Sequence, residues 1–425
     1  MDALSNTSIR TSYINTNIEN FIEKDYDREI NPISAIHPGS PIEFQISGTN
    51  IFYISLRDSY FDLQFNVTLG DGNNLPADAA VGPANLLVHS LFSNIELSLN
   101  GKQVTEPTIH YQYRAYLETL ANYSSYVQEK RLVSEGWLLD TASHFDAPNG
   151  HDGANAGLVA RKAWIHQSRH HRLILRPRLD LFHQDCDLPP NTDVRLRLIP
   201  NRDEFYLITS VNVHYHLTIQ SVRFWIRTRE VSAQCLLSHQ QMLHSGVNYR
   251  IHMPSIRIKT LSIPAGTIRQ EFDNLYMGQL PHKIIMGMVL GTHMDGTYGS
   301  NPYWFQHFGL TYLVLRVNGE LVPRNGFQPN FENNDYIRDY VQILNALDLD
   351  SSTNNALCLS PTQWANGFSF FAFKLFPNQS QYRPSGSVRL EVRFAAQTAG
   401  VINIILLSES TGSIEIDKYK NVLIN

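Results

Sequence analysis

Cysteine is scarce: the 425 residues hold three, Cys186, Cys235 and Cys358, far apart and without a CxxC spacing. That argues against a disulfide framework or a structural zinc site and points to a reducing compartment. Long hydrophobic runs are missing too, and the longest, such as Ile402 to Leu407, are far too short to span a bilayer. Met1-Asp2-Ala3 opens no positively charged segment followed by an apolar run, so no secretion signal is expected. Without one, the sequons Asn66-Val-Thr68 and Asn122-Tyr-Ser124 read as chance matches. Charge is modest, 17% of residues with a formal net of -5, which argues against a protein whose main work is coating nucleic acid. Lysine is sparse, 9 against 25 arginines. Guanidinium forks suit planar ion pairs between packed surfaces, a lean towards extensive interfaces that compositional bias explains equally well. GxSxG, HExxH, Walker and dinucleotide fingerprints do not occur, and neither an enzymatic activity nor a cofactor is expected.

What the chain does have is internal repetition. In the stretch Leu91 to Asn122, Ile95, Leu97 and Leu99 alternate with Glu96 and Ser98 and then meet Asn100-Gly101, a pair that tolerates the positive φ of a type I′ turn. In a second copy Leu313, Leu315 and Val317 precede Asn318-Gly319, 218 residues further on. A helix is expected after each hairpin, with Ile109, Tyr113, Leu117 and Leu120 on one face in the first and Ile337, Val341, Leu344 and Leu347 in the second. Thr108 and Asn334 are the expected N-caps. Length agrees, since 425 residues exceed what a single core usually supports. Twenty prolines, 24 glycines and 41 Phe plus Tyr among short alternating runs favour β-sandwiches.

Taken in order, residues 1–37 read as an N-terminal arm, extended or simply disordered, and 38–231 as the first domain. Strands are expected at Ile42 to Ile46, Ile51 to Leu56, Phe61 to Leu69, Leu173 to Leu179 and Val194 to Leu198. Between Tyr123 and Ala160 lies a long excursion whose tip, DAPNGHDGANAG, reads as a surface loop. Residues 232–246, containing SAQCLLSHQQMLH, form a helical connector, and 247–425 are the second domain with a C-terminal tail. There Ile263 to Ile268 is matched with Ile46 to Ile51, Ile284 to Leu290 with the strand ending at Leu69, and Val388 with Val194. The fold class this describes is all-β, a double jelly roll of two tandem eight-stranded β-sandwiches with short inserted helices.

The block FSNIELSLNGKQV, running into YQYRAYLETLANYSSYVQEKRL and followed by GWLLD, resembles the major capsid protein (hexon) of Polinton or Maverick elements and adintoviruses. The resemblance covers most of the chain, the arm apart, and the architecture is more distantly similar to virophage and adenovirus hexons. It implies a structural protein forming pseudo-hexameric homotrimers in the icosahedral shell of a double-stranded DNA virus or a Polinton-like element. It further implies neighbouring trimers, penton and minor capsid proteins as partners, location in the virion with assembly in the host nucleus, and no need of a membrane. Geometry joined to that resemblance gives the expected homotrimer, because three chains of two similar domains present six similar corners. The other class that fits is a tandem β-sandwich carbohydrate-binding or glycan-processing protein, since jelly rolls serve that chemistry as well.

Three groups of residues invite chemistry. His214 and His216, two apart on a strand, face one way and are the nearest approach to a metal pair. Gln220 and Ser221 stand where a cupin would place a glutamate, so surface histidines are the favoured account and no metal is expected. Arg161, Lys162, Arg169, Arg172, Arg176 and Arg178 form a strip without an acid between them, readable as weak contact with packaged DNA or as a solvated or inter-subunit face. Tyr303, Trp304, Phe305 and Phe308 form an aromatic cluster that serves a sugar platform if exposed and a core if buried; the core is favoured. Asp348 and Asp350 sit in a polar loop without a visible partner. No catalytic, cofactor-binding or metal residue is assigned.

Overall fold

The computed structural model describes residues 22–145, 154–210, 213–349, 357–376 and 384–424. Runs of alternating apolar and polar residues build the strands, and all their pairings are antiparallel. In chain order the first half gives β1 (Ile22–Ile30), β2 (Ile42–Ile46), β3 (Phe52–Leu69), β4 (Val81–Pro83), β5 (Phe92–Leu99) and β6 (Lys102–Gln103). It continues with β7 (His171–Leu175), β8 (Val194–Pro200), β9 (Leu207–Thr209) and β10 (Tyr215–Val231). Eight of these form two sheets in the orders β1-β10-β3-β7 and β2-β8-β5-β6, and β4 pairs with β9 apart from them.

The second half gives β11 (Tyr249–Ile263), β12 (Arg269–Gln279), β13 (Lys283–Leu290), β14 (Leu310–Val317) and β15 (Glu320–Phe327). After these come β16 (Phe370–Lys374), β17 (Ser385–Phe394), β18 (Ile402–Ile416) and β19 (Val422–Ile424). Its sheets run β11-β18-β13-β16, with β19 added to β18, and β12-β17-β14-β15. Strand for strand, the two pairs of sheets have one topology. This is a double jelly roll.

The duplication extends to register. Leu99, Leu97 and Ile95 stand opposite Val194, Leu196 and Leu198, and Val317, Leu315 and Leu313 stand opposite Val388, Leu390 and Val392. Both hairpin turns place Asn and Gly at positive φ, 48° and 79° for Asn100 and Gly101, 50° and 92° for Asn318 and Gly319. Each asparagine adds a rung to the ladder. The Asp193 backbone N–H donates to Oδ1 of Asn100 at 2.7 Å, and that of Ser387 to Oδ1 of Asn318 at 3.0 Å. Within the first roll Phe44, Phe61 and Phe224 meet between the sheets, the last two stacked at 4.4 Å. Val194, Leu196 and Leu198 turn inward, while Arg195 and Arg197 turn out to Glu43.

Several expectations need correction. The arm is cut too long, because Ile22–Ile30 pairs along β10 as the first strand of the first roll, equivalent to β11. Its apolar residues recur only every fourth position, and its acids Asp25 and Asp27 are held across the strand by Arg227, a pattern of charge rather than of burial. Residues 1–21 lie outside the described residues. The strands expected at 51–56 and 61–69 are one, because Ser59 is buried and carries the pairing across the polar interruption: it donates to the Ser55 carbonyl and accepts the Arg227 N–H.

Ile46 ends the second strand of its roll whereas Ile263 ends the first of its own, so that match fails; the Gly and Thr turn residues are alike at both places. By contrast β13 is equivalent to β3, as the match of Ile284 to Leu290 expects. The post-hairpin helices start at Tyr111 and Ile337, with His110 and Tyr336 rather than Thr108 and Asn334 at the caps. Ile109 precedes its helix and is exposed. Of the face expected for the second helix, Leu347 is buried and Leu344 packs on the core, but Ile337 and Val341 lie outside, because Tyr340 and Ile343 turn the start of the helix towards the roll.

Ala233–His244 is the expected helix, with the Ser232 hydroxyl accepting from the backbone of Cys235. The excursion is more than a surface loop. It holds short helices at Ser125–Lys130 and Ala156–Lys162 and buries Trp137 and Phe145, while 146–153 of its tip lie outside the described residues.

Candidate functional site

The buried seam between the rolls is where unlike side chains from both halves come together. Tyr116, on the helix Tyr111–Asn122, stacks face to face on Tyr303 at 4.1 Å, and the Tyr303 hydroxyl meets that of Ser90 at 2.6 Å. Phe145 packs edge-on against Phe368 at 4.8 Å. Tyr303 and Phe305 are fully buried, Trp304 and Phe308 half-buried. The aromatic cluster is core at the seam, and its rings present no sugar platform there.

Buried ions hold the same region. Arg161 has no exposure; it donates to Asp140 at 2.6 Å and to the carbonyls of Pro83 and Leu138 at 2.8 and 2.5 Å. Asn301 of the second roll donates to the other Asp140 oxygen at 3.4 Å, which ties the ion pair across the seam. Arg114 pairs with Glu118 at 2.8 Å and Asp180 at 2.5 Å and donates to the Ile256 carbonyl of β11 at 3.3 Å. Burial opposes its charge, but the two carboxylates outweigh that and hold its pKa above the ordinary value. Arg178 pairs with Glu135 at 2.8 Å, and His89 bridges Glu135 and the Tyr111 hydroxyl. Burial, with the Arg178 charge nearby, takes His89 down to about 4 despite its bond to Glu135.

The basic strip is therefore not a continuous surface. Arg161 and Arg178 are interior, Arg176 lies over the Tyr60 ring, Arg172 faces Asp62 at 3.4 Å, and only Arg169 and Arg172 of the arginines are well exposed. What sequence reasoning missed is the acids: Asp140, Glu135 and Asp62, all outside the strip, meet Arg161, Arg178 and Arg172. Asp140 closes the GWLLD block, the one signal available. His216 is engaged by Asp203 at 2.5 Å, while His214 lies edge-on to Tyr298. Among the described residues no three His, Cys, Asp or Glu side chains gather to hold a metal. Asp348 pairs with Lys374, and Asp350 lies outside the described residues. A cavity of about 50 Å³ opens under the helix Ala233–His244, lined by Tyr53, Pro189, Leu236, His239 and Lys420 among others. Among the described residues no helix is long and apolar enough to cross a membrane.

At the seam Arg161, Arg114 and Arg178 are each paired with carboxylates, and rings of both sandwiches pack together. No family model matches the chain. It is similar to an uncharacterized protein of Caenorhabditis elegans, 22% identical over 418 residues that cover 93% of this chain and 96% of that one. Among solved structures it superposes on a chain of the Sputnik virophage with a TM-score of 0.59 and 9% identity, over 95% of this chain and 89% of that one. The mavirus major capsid protein gives 0.55 and 11%, over 94% and 90%. The PBCV-1 virus capsid gives 0.57 and 10%, over 94% and 96%. At these identities the likeness is one of fold, the double jelly roll shared with viral major capsid proteins.

Proposed function

We propose that this chain is a major capsid protein that self-assembles as pseudo-hexameric homotrimers into the icosahedral shell of a double-stranded DNA virus or Polinton-like element. The observation that supports this most is the duplication itself: two rolls of one topology and one hairpin register, locked side by side through a buried seam. Such a chain presents a nearly repeated outline, so a threefold closed ring gives six similar corners that tile among six neighbours. In this reading the first roll starts at Ile22, residues 232–246 connect, and the second roll runs from 247 with its tail. Neighbouring trimers, penton and minor capsid proteins are its partners, the virion its location and the nucleus its place of assembly. Its work is structural, without turnover or cofactor.

The nematode source of the similar curated protein agrees with an element resident in animal genomes. The carbohydrate alternative gains no support from the seam, where the candidate rings are packed. Light scattering on the purified chain tests the proposal. Three chains per particle, or larger shells, are expected; a monomer that resists micromolar concentration would overturn it.

A further inference from the structure

One roll is covered where the other is bare. The helices Tyr111–Asn122 and Ile337–Ala346 share an Arg-x-Tyr pattern, Arg114 to Tyr116 against Arg338 to Tyr340. Each tyrosine packs on a tryptophan of the segment that follows its helix, Tyr116 on Trp137 at 5.4 Å and Tyr340 on Trp364 at 6.1 Å. The match sets Tyr113 against Ile337, Arg114 against Arg338 and Leu117 against Val341. In the first roll all three are buried. Tyr113 meets the rings of Tyr303 and Phe305 of the second roll at 5.8 and 6.3 Å, and Arg114 reaches the Ile256 carbonyl. In the second roll Ile337 is 53% and Val341 45% exposed, and Arg338 is exposed between them. An amphipathic helix that turns aliphatic side chains to water is a surface awaiting a partner.

We propose that the helix Ile337–Ala346 docks on the first roll of a second copy of this chain, repeating between chains the contact that the helix Tyr111–Asn122 makes within one. This rests on the assembly reading above and names the surface it uses. Inside the chain the helix Tyr111–Asn122 is covered from the sheet β11-β18-β13-β16, and the equivalent sheet of the first roll is β1-β10-β3-β7. Arg114 reaches the outer strand, β11; its counterpart β1 carries exposed Asp25, Asp27 and Glu29. These acids face Arg223, Arg227 and Arg229 at 3.1 to 3.5 Å on open surface, pairs that an incoming Arg338 can join by sharing a carboxylate. Just past β1, Ile33 is 57% exposed and offers apolar area to Ile337 and Val341. The contact is heterologous, roll two to the next roll one, and with six similar corners it closes after three chains instead of growing into a filament.

The test combines two changes to the full chain. Ile337→Asp with Val341→Asp is expected to convert particles of three chains to single chains at micromolar concentration, with an unchanged far-ultraviolet circular dichroism spectrum. Separately, Ile33→Cys with Val341→Cys, in a chain whose Cys186, Cys235 and Cys358 are serine, is expected to give an oxidised ladder ending at three chains. A parent that is itself monomeric would sink the assembly reading and this inference together. A parent and aspartate variant that are both trimeric, with no ladder from the cysteine pair, would overturn this inference alone. Should the aspartate variant fail to fold, the cysteine pair decides.

Discussion

Replacing Arg161 with methionine tests the claim that buried ions lock the seam. Methionine keeps an apolar stem of similar length, so the loss is chiefly of the guanidinium. That group makes three bonds, to Asp140 at 2.6 Å and to the carbonyls of Pro83 and Leu138. Its removal strands a carboxylate whose remaining donors are the Asn155 amide at 3.0 Å and the Asn301 amide at 3.4 Å. Breaking a buried pair from one side costs about 3–5 kcal/mol. With an m-value of ~3 kcal/mol per molar in urea, the unfolding midpoint falls by about 1–1.7 M. Adding Asp140→Asn removes the stranded charge while leaving an amide oxygen for Asn155, and is expected to recover about 1–3 kcal/mol. The assay is equilibrium unfolding at one protein concentration, followed by tryptophan fluorescence. An unchanged midpoint in R161M, or a double variant less stable than the single, would refute the reasoning.

Other expectations follow from the same packing. His89, His183 and His307 are each held near 4, mainly by burial, so the unfolded chain takes up their protons first as pH falls. Stability present above about 6.5 is then lost progressively towards about 4, by at most about 3 kcal/mol for each histidine, and a flat unfolding midpoint across that range would contradict it. Burial raises the pKa of Glu409, but the hydrogen bond from His282 and the Lys283 ammonium outweigh it and bring the carboxyl to about 2. Its contribution is present above about 4.5 and lost as pH falls to about 2, so Glu409→Gln should flatten the acid limb there and lower stability at neutral pH by ~2 kcal/mol. Asn318→Ala removes both the left-handed tolerance and the bond from Ser387, and should cost about 1–2 kcal/mol by calorimetry. Asn100→Ala should behave alike, since the two turns are equivalent.

The parts of the fold readable from sequence were those with a local signature. The Asn-Gly turns declare themselves because a period of two runs directly into a pair that accepts positive φ, and the arginines of β8 mark its outward face. Ile22–Ile30 could not be read that way, being an edge strand rich in charge whose partner, β10, lies some 200 residues away. The buried face of the helix Ile337–Ala346 is half legible: Leu344 and Leu347 lie against the core, but counting aliphatics also selects the exposed Ile337 and Val341, whereas Tyr340 is fixed by Trp364 and the Leu359 carbonyl. The basic strip failed for a related reason: charge patterning along a chain sees Arg161 and Arg178 but not the acids that meet them in space. The seam itself was half visible. Its rings, Tyr303 and Phe305, stood out as a cluster, but their partner Tyr116 was legible only as one residue of a helix.

Electron microscopy of the purified full chain decides whether it assembles in threes. Particles of three chains whose projections show six similar corners are expected, with shells built from them at higher concentration. Single two-lobed particles that persist as monomers at micromolar concentration would contradict that expectation.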